Sequence, residues 1–192
     1  MKKPNNWEKT QAYGEFEPLE LGGHICKIMQ VEETVSRGGK DMLVISLDIA
    51  EGPQKDYYAE QYRKNFKPDK KWGCVVYQLI EDADGNANRG FKTFVEAVGK
   101  SNPKFEESRI WDTDDINPFF KGLLVGGVFG REQYKNQDGN LKWSIKCMQF
   151  RSVEDIKKGV EIPEDRYLKE EQKSGAFNIN EFEEFNEDEL PF

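Results

Sequence analysis

Two separated runs in this chain place an apolar residue at every second position. In Met42–Ala50 (MLVISLDIA) these are Leu43, Ile45, Leu47 and Ile49. In Leu141–Ser152 they are Leu141, Trp143, Ile145 and Cys147, with Lys142, Ser144 and Lys146 between them. Successive side chains of a strand point to opposite faces, so a period of two predicts strands with one face turned to a core. Each run follows a turn cluster and another β-rich segment. Ser36–Asp41 (SRGGKD) links the first run to His24–Glu33 (HICKIMQVEE), and Asn136–Asn140 (NQDGN) links the second to Leu123–Lys135 (LLVGGVFGREQYK). Two long β-hairpins are expected. Gly126, Gly127 and Gly130 suit strong coiling of the strand that carries them.

Between the hairpins, Asp56–Phe66 (DYYAEQYRKNF) reads as a third strand, aromatic and flanked by Gly52-Pro53 and Pro68. Gly73–Ile80 is apolar and fits a strand or a short helix. Asn88–Lys100 carries Phe91, Phe94, Val95 and Val98 at helical spacing, with Gly99 near a C-cap. Ser101–Asn117 is a polar, Asp-rich connection, and Val153–Lys158 reads as one closing helical turn. The order β-β-β-α-β-β is the connectivity of the OB-fold, a five-stranded Greek-key barrel. The expectation is therefore an all-β fold with one main helix, a five-stranded OB-fold barrel. A loosely docking arm, residues 1–20 with Trp7, Tyr13 and Phe16, precedes the barrel at 21–163. A flexible acidic tail, 164–192, follows it.

Composition excludes several classes. No window approaches the ~18 uninterrupted apolar residues of a membrane span. Met1–Thr10 lacks the apolar stretch of a signal peptide. Cys26, Cys74 and Cys147 are odd in number and far apart, which fits a reducing cytoplasm better than a disulfide framework. With no CxxC pair and a single histidine, His24, the ligands of a structural zinc site are missing. No cofactor and no metal are expected. The net charge of −8 argues against nucleic acid until it is divided. Residues 1–163 hold 25 basic and 26 acidic residues, whereas 164–192 hold 3 and 10. An almost neutral body carries an acidic tail.

Motifs with catalytic or metal-binding overtones have simpler readings. Asp82-Ala-Asp84-Gly-Asn86-Ala-Asn88 resembles a calcium loop, but the sixth and twelfth positions hold Ala87 and Thr93, where the EF-hand needs Gly and Glu. A polar turn before a helix accounts for it. Gly122–Gly130 lacks the GK[ST] of a phosphate loop. Asp112, Asp114 and Asp115 lie in one acidic loop, whereas a two-metal nuclease site draws carboxylates from separate elements. His24 has no Ser, Cys or Asp partner close by in sequence and reads as a half-buried structural side chain. An enzyme is not expected.

The first positive signal is Lys55–Trp72 (KDYYAEQYRKNFKPDKKW), with six basic residues against three acidic ones. The cations include Arg63, Lys64 and Lys67. Tyr57, Tyr58, Tyr62, Phe66 and Trp72 interleave with them. Proteins grip single-stranded nucleic acid with this combination, cations tracking phosphates while rings stack on bases. Strand alternation would align Tyr58, Tyr62, Lys64 and Phe66 on one face. In an OB-fold the ligand lies on the strand 2–3 face between the 1–2 and 4–5 loops. Those loops supply Arg37 and Lys40, and Tyr134, Lys135 and Lys142.

The second signal is Asn178–Phe192 (NINEFEEFNEDELPF), with six acidic residues and no basic one. Such a segment buries too little to fold alone but can serve as a ligand. Its last residues, Asp188-Glu189-Leu190-Pro191-Phe192, closely resemble the acidic tip of bacterial single-stranded DNA-binding proteins, a run of Asp followed by Ile or Leu, Pro and Phe. Glu15–Ile28, Asp48–Tyr58 and Phe119–Gly130 also resemble a group of phage and mobile-element proteins regarded as single-stranded DNA-binding. That likeness covers roughly residues 13–158. The resemblance implies an OB-fold protein that coats single-stranded DNA and recruits replication, recombination or repair proteins through Asp188, Glu189, Leu190, Pro191 and Phe192. Two departures limit it. The linker, about Glu164–Asn180, is short and charged, and the strand motifs of the bacterial barrel are not matched, so tetramerisation does not carry over. A protein-only adaptor built on the same barrel, and a metal-dependent nuclease using Asp112, Asp114 and Asp115, are the alternatives.

Overall fold

The computed structural model describes residues 2–5, 17–111 and 113–168. The fold is mostly β: one open, five-stranded antiparallel sheet with a few helices. In chain order the strands are β1 (Gly22–Val35), β2 (Asp41–Ile49), β3 (Val75–Leu79), β4 (Leu124–Lys135) and β5 (Leu141–Arg151). Helix α1 (Tyr57–Lys64) lies between β2 and β3. Helix α2 (Arg89–Ser101), a 3-10 turn (Glu107–Ile110) and α3 (Asn117–Phe120) lie between β3 and β4, and α4 (Val153–Lys158) follows β5. The sheet order is β3-β2-β1-β4-β5.

The two expected hairpins form, and their turns are built alike. Ser36 N–H donates to the Lys40 carbonyl at 2.8 Å, and Asn136 N–H to the Asn140 carbonyl at 3.0 Å. In each turn the first side chain also accepts from the last N–H, Ser36 Oγ from Lys40 at 3.0 Å and Asn136 Oδ1 from Asn140 at 2.8 Å. A glycine with positive φ, Gly39 or Gly139, closes the loop. The period of two sorts the side chains as read: Leu43, Ile45, Leu47 and Ile49 are all buried.

The third strand is a correction. Asp56–Phe66 does not extend as a strand; Tyr57–Lys64 within it is helix α1, and the third strand comes from the segment left open, as Val75–Leu79. What starts α1 is distant in sequence. Asp56 at its N-cap position has φ of 60° and makes no side-chain cap. Instead the buried carboxylate of Asp48 on β2 accepts from Tyr58 N–H at 2.9 Å and Ala59 N–H at 3.2 Å, besides Ile49 N–H at 2.9 Å. Those two helix donors would otherwise be orphaned.

Helix α2 forms over the expected residues. Asn88 caps it by accepting from Gly90 N–H at 2.8 Å. Its apolar stripe, Phe91, Phe94, Val95 and Val98, is buried against β3, β4 and β5. Phe94 sits between Phe120 and Phe150, ring centroids 5.3 and 4.8 Å away. Helix α4 packs on β4 at Gly126, where a Cβ would lie 2.4 Å from Ile156 Cγ1. The close approach of a helix, not only coiling of the strand, explains that glycine.

Beyond the sheet, residues 165–168 continue onto the outer half of β4. Gln133 N–H donates to the Arg166 carbonyl at 2.8 Å and Arg166 N–H to the Arg131 carbonyl at 2.9 Å, a parallel bridge between Arg166 and Glu132. At the other end Leu19 is buried in the core, and Tyr57 Oη donates to the Glu17 carbonyl at 3.0 Å. Residues 17–20 of the expected arm are therefore tied down. Trp7, Tyr13 and Phe16 lie outside the described residues, as does the tail beyond 168.

Candidate functional site

The basic-aromatic stretch folds around α1 and the loop that returns from it. Tyr58 and Tyr62 stand one helical turn apart on the same side of α1. Tyr58 is buried, its hydroxyl beside Cys74, and burial pushes its pKa well above the ordinary tyrosine value. It belongs to the core and is removed from the candidate binding surface. Tyr57 is half-buried, edge-on to Tyr58 at 5.0 Å, and its hydroxyl is engaged by Glu17.

Tyr62 and Trp72 come together at the edge of that core, ring centroids 5.6 Å apart. The Trp72 indole N–H donates to the Leu47 carbonyl at 2.7 Å, which fixes the ring against the end of β2. Lys70 Nζ lies 4.2 Å from the centre of the Tyr62 ring and donates to the Tyr62 carbonyl at 3.1 Å. Two partly exposed rings with an ammonium group seated on one of them form the most ordered cluster in the stretch. Phe66 is 76% exposed just past the helix. Arg63, Lys64 and Lys67 are exposed around it, Arg63 turned back to the Ala59 carbonyl and Lys64 within 3.5 Å of Glu60.

Arg37 and Lys40 are exposed in the β1–β2 turn. In the second hairpin, Tyr134 and Lys142 are direct cross-strand partners and share a face, while Lys135 pairs with Leu141. The face of β2 and β3 turned away from the core differs from expectation. It carries Val44, Ser46, Val75, Tyr77 and Leu79, all half-buried, and no lysine or arginine. The basic-aromatic residues therefore lie on α1, its return loop and the hairpin ends, not on the flat of strands 2 and 3.

Sequence reading overlooked Trp143, Tyr167 and Arg131. Trp143 sits in the alternating run, where its parity marks it as core, yet it is 40% exposed because the hairpin outruns the core. Nothing in the local pattern of 164–168 signals that Tyr167 returns to the sheet.

The remaining candidates have structural roles. His24 is half-buried, its Nε2 2.8 Å from the Glu20 carbonyl and its ring edge-on to Phe129 at 5.4 Å. Asp82 Oδ1 accepts from Asp84 N–H and Asn86 N–H, both at 2.9 Å, which makes the calcium-like segment a self-capped turn. Asp114 and Asp115 are exposed ahead of α3, and Asp115 Oδ1 accepts from Asn117 N–H. Asp112 lies outside the described residues, as do Asp188, Glu189, Leu190, Pro191 and Phe192. Among the described residues no group of three potential ligands is placed to hold a metal ion, and no helix is long and apolar enough to cross a membrane. No protein-family model and no curated protein matches the sequence.

Proposed function

We propose that the chain is a sequence-tolerant single-stranded DNA-binding protein, built on an OB-type barrel and recruiting replication and recombination proteins through residues 188–192. The observation that carries the DNA reading is the Tyr62–Trp72 pair with Lys70 seated on Tyr62. An aromatic pair offers a face to any base, and a neighbouring ammonium offers a counter-charge to its phosphate, so neither contact depends on sequence.

The barrel reading draws support from the strand order. Cut a five-stranded Greek-key barrel between strands 3 and 5 and it unrolls as β3-β2-β1-β4-β5, with the long helix between strands 3 and 4. The edges also approach one another. Cys147 of β5 packs against the core cluster that includes Cys74, which immediately precedes β3, although their strands are the two ends of the sheet order. Burial holds both thiols far from ionisation, Cys74 pushed up to about 12.

Titration of labelled oligo-dT, with matched RNA and duplex alongside, tests the reading. Binding of single strands that weakens linearly in log salt is the expected result, since each neutralised phosphate releases counterions. A chain that binds no oligo-dT at low salt is an adaptor. One that shortens the strand in magnesium or manganese is a nuclease. Either outcome overturns the proposal.

A further inference from the structure

We propose that Trp143 and Tyr167 form a second base-stacking platform for single-stranded DNA, completed by the strap that follows α4. The inference rests on the DNA-binding reading above and adds a site that reading does not contain.

The geometry follows from strand register. On β4 and β5, Arg131 faces Ile145 and Gln133 faces Trp143. The parallel bridge between Arg166 and Glu132 places Asp165 level with Arg131, and Tyr167 level with Gln133. Two rows therefore cross three chain segments on one face, Asp165–Arg131–Ile145 and Tyr167–Gln133–Trp143. Side-chain contacts agree with the rows. Arg131 Nε donates to Asp165 Oδ1 at 2.9 Å, and a second guanidinium nitrogen closes a two-armed pair with the same carboxylate. The Tyr167 and Trp143 rings meet edge to face at 5.2 Å, and the Arg131 guanidinium lies 5.4 Å from the Trp143 ring centre.

Three observations turn this cluster into a site. First, the rings are open to water: Trp143 is 40% and Tyr167 66% exposed, beside Leu141 at 57% on the same face. Second, the hairpin segment 131–146 carries Arg131, Lys135, Lys142 and Lys146 against Glu132 and Asp138, with Arg131 paired to Asp165 and Arg166 3.8 Å from Glu132; Arg131 and Lys135 share the rings' face, and Lys142 and Lys146 lie on the other. The hairpin end as a whole is therefore cationic, with Lys135 on the rings' own face, which favours a polyanion with flat apolar groups over an apolar protein surface. Third, Trp143, Ile145 and Cys147 share one side of β5, and Ile145 and Cys147 pack against the same core as Tyr58 and Trp72. Trp143 thus continues outward from the side of β5 that meets this core. Cys147 and Trp143 are four residues apart, or ~13 Å along β5.

The test uses the full chain, fluorescence anisotropy with labelled oligo-dT, and a salt series. W143A and Y167A should each weaken binding by roughly 5- to 150-fold, the equivalent of one lost base stack, with the salt slope unchanged because no phosphate contact is removed. W143F, which keeps a ring, should recover most of the loss. Thermal melting confirms that the variants are folded. If W143A unfolds, W143F and Y167A still report on the platform. If the wild-type chain binds and Y167A and W143A bind equally well, the platform is overturned while the DNA reading stands. If the wild-type chain does not bind, the DNA reading falls and takes the platform with it.

Discussion

At the scale of single residues, Asp48 couples the sheet to α1. It is 1% exposed, yet its oxygens accept from Ile49, Tyr58 and Ala59. Burial raises its carboxyl above the ordinary carboxylate range, and the three N–H donors only partly oppose that. Asp48→Ala leaves these donors without an acceptor and should cost about 2–3 kcal/mol in urea denaturation at neutral pH. A variant as stable as wild type would show that α1 needs no cap from β2. The sign with pH follows from the raised value. A carboxyl that binds its proton more tightly in the folded chain adds stability that is complete below the unfolded value of ~3.9 and lost as pH rises through the folded one. Asp48→Asn does not titrate. The stability of wild type relative to Asp48→Asn should therefore fall as pH rises through that window, and a difference flat with pH would contradict it.

At the scale of elements, the period of the apolar residues decided what could be read. The hairpins and α2 were legible because each has a one-sided pattern long enough to fix its type: Leu43 to Ile49 alternate, and Phe91, Phe94, Val95 and Val98 recur as a helix requires. Helix α1 was not legible in the same way. Its two informative rings, Tyr58 and Tyr62, are four residues apart, a spacing that puts them on one face of a strand and equally on one face of a helix. The tie-breakers were helix formers between and after them, Ala59, Glu60, Gln61, Arg63 and Lys64, and a cap ten residues upstream that no local window contains. The same limit hid half of the aromatic surface. Trp143 has core parity but stands beyond the end of the core, and Tyr167 reaches it only through a strap folded back on β4. Packing between elements is likewise written in Gly126. A Cβ there would also lie 2.8 Å from the Arg151 carbonyl and 2.9 Å from that of Ser152. Gly126→Ala should destabilise by about 1–3 kcal/mol as an overpacked site. Ile156→Ala in the same chain should rescue it only in part, because the backbone carbonyls remain. Full rescue in a double-mutant cycle would assign the whole cost to the Ile156 side chain.

At the scale of the molecule, the division of charge sets the behaviour of the proposed complex. Residues 1–163 are close to neutral, with 25 basic and 26 acidic residues, so the proposed attraction to DNA would be local: it would depend on where Lys70, Arg131 and the hairpin lysines stand, not on a net field. Removing 178–192 takes away six acidic residues and no basic one, changing the net charge from −8 to −2. Long-range repulsion of a polyanion weakens accordingly, most strongly at low salt, where the Debye length reaches ~30 Å at 0.01 M against ~8 Å at 0.15 M. The truncated chain should therefore bind oligo-dT as tightly as the full chain near physiological salt and more tightly at low salt. On the proposed recruiting role of residues 188–192, the full chain should retain replication and recombination proteins from a host extract and the truncated chain should not. A truncation that abolishes DNA binding or lowers the melting temperature would mean that 178–192 stabilises the fold, and the proposed separation between a DNA-gripping body and a recruiting tail would fail.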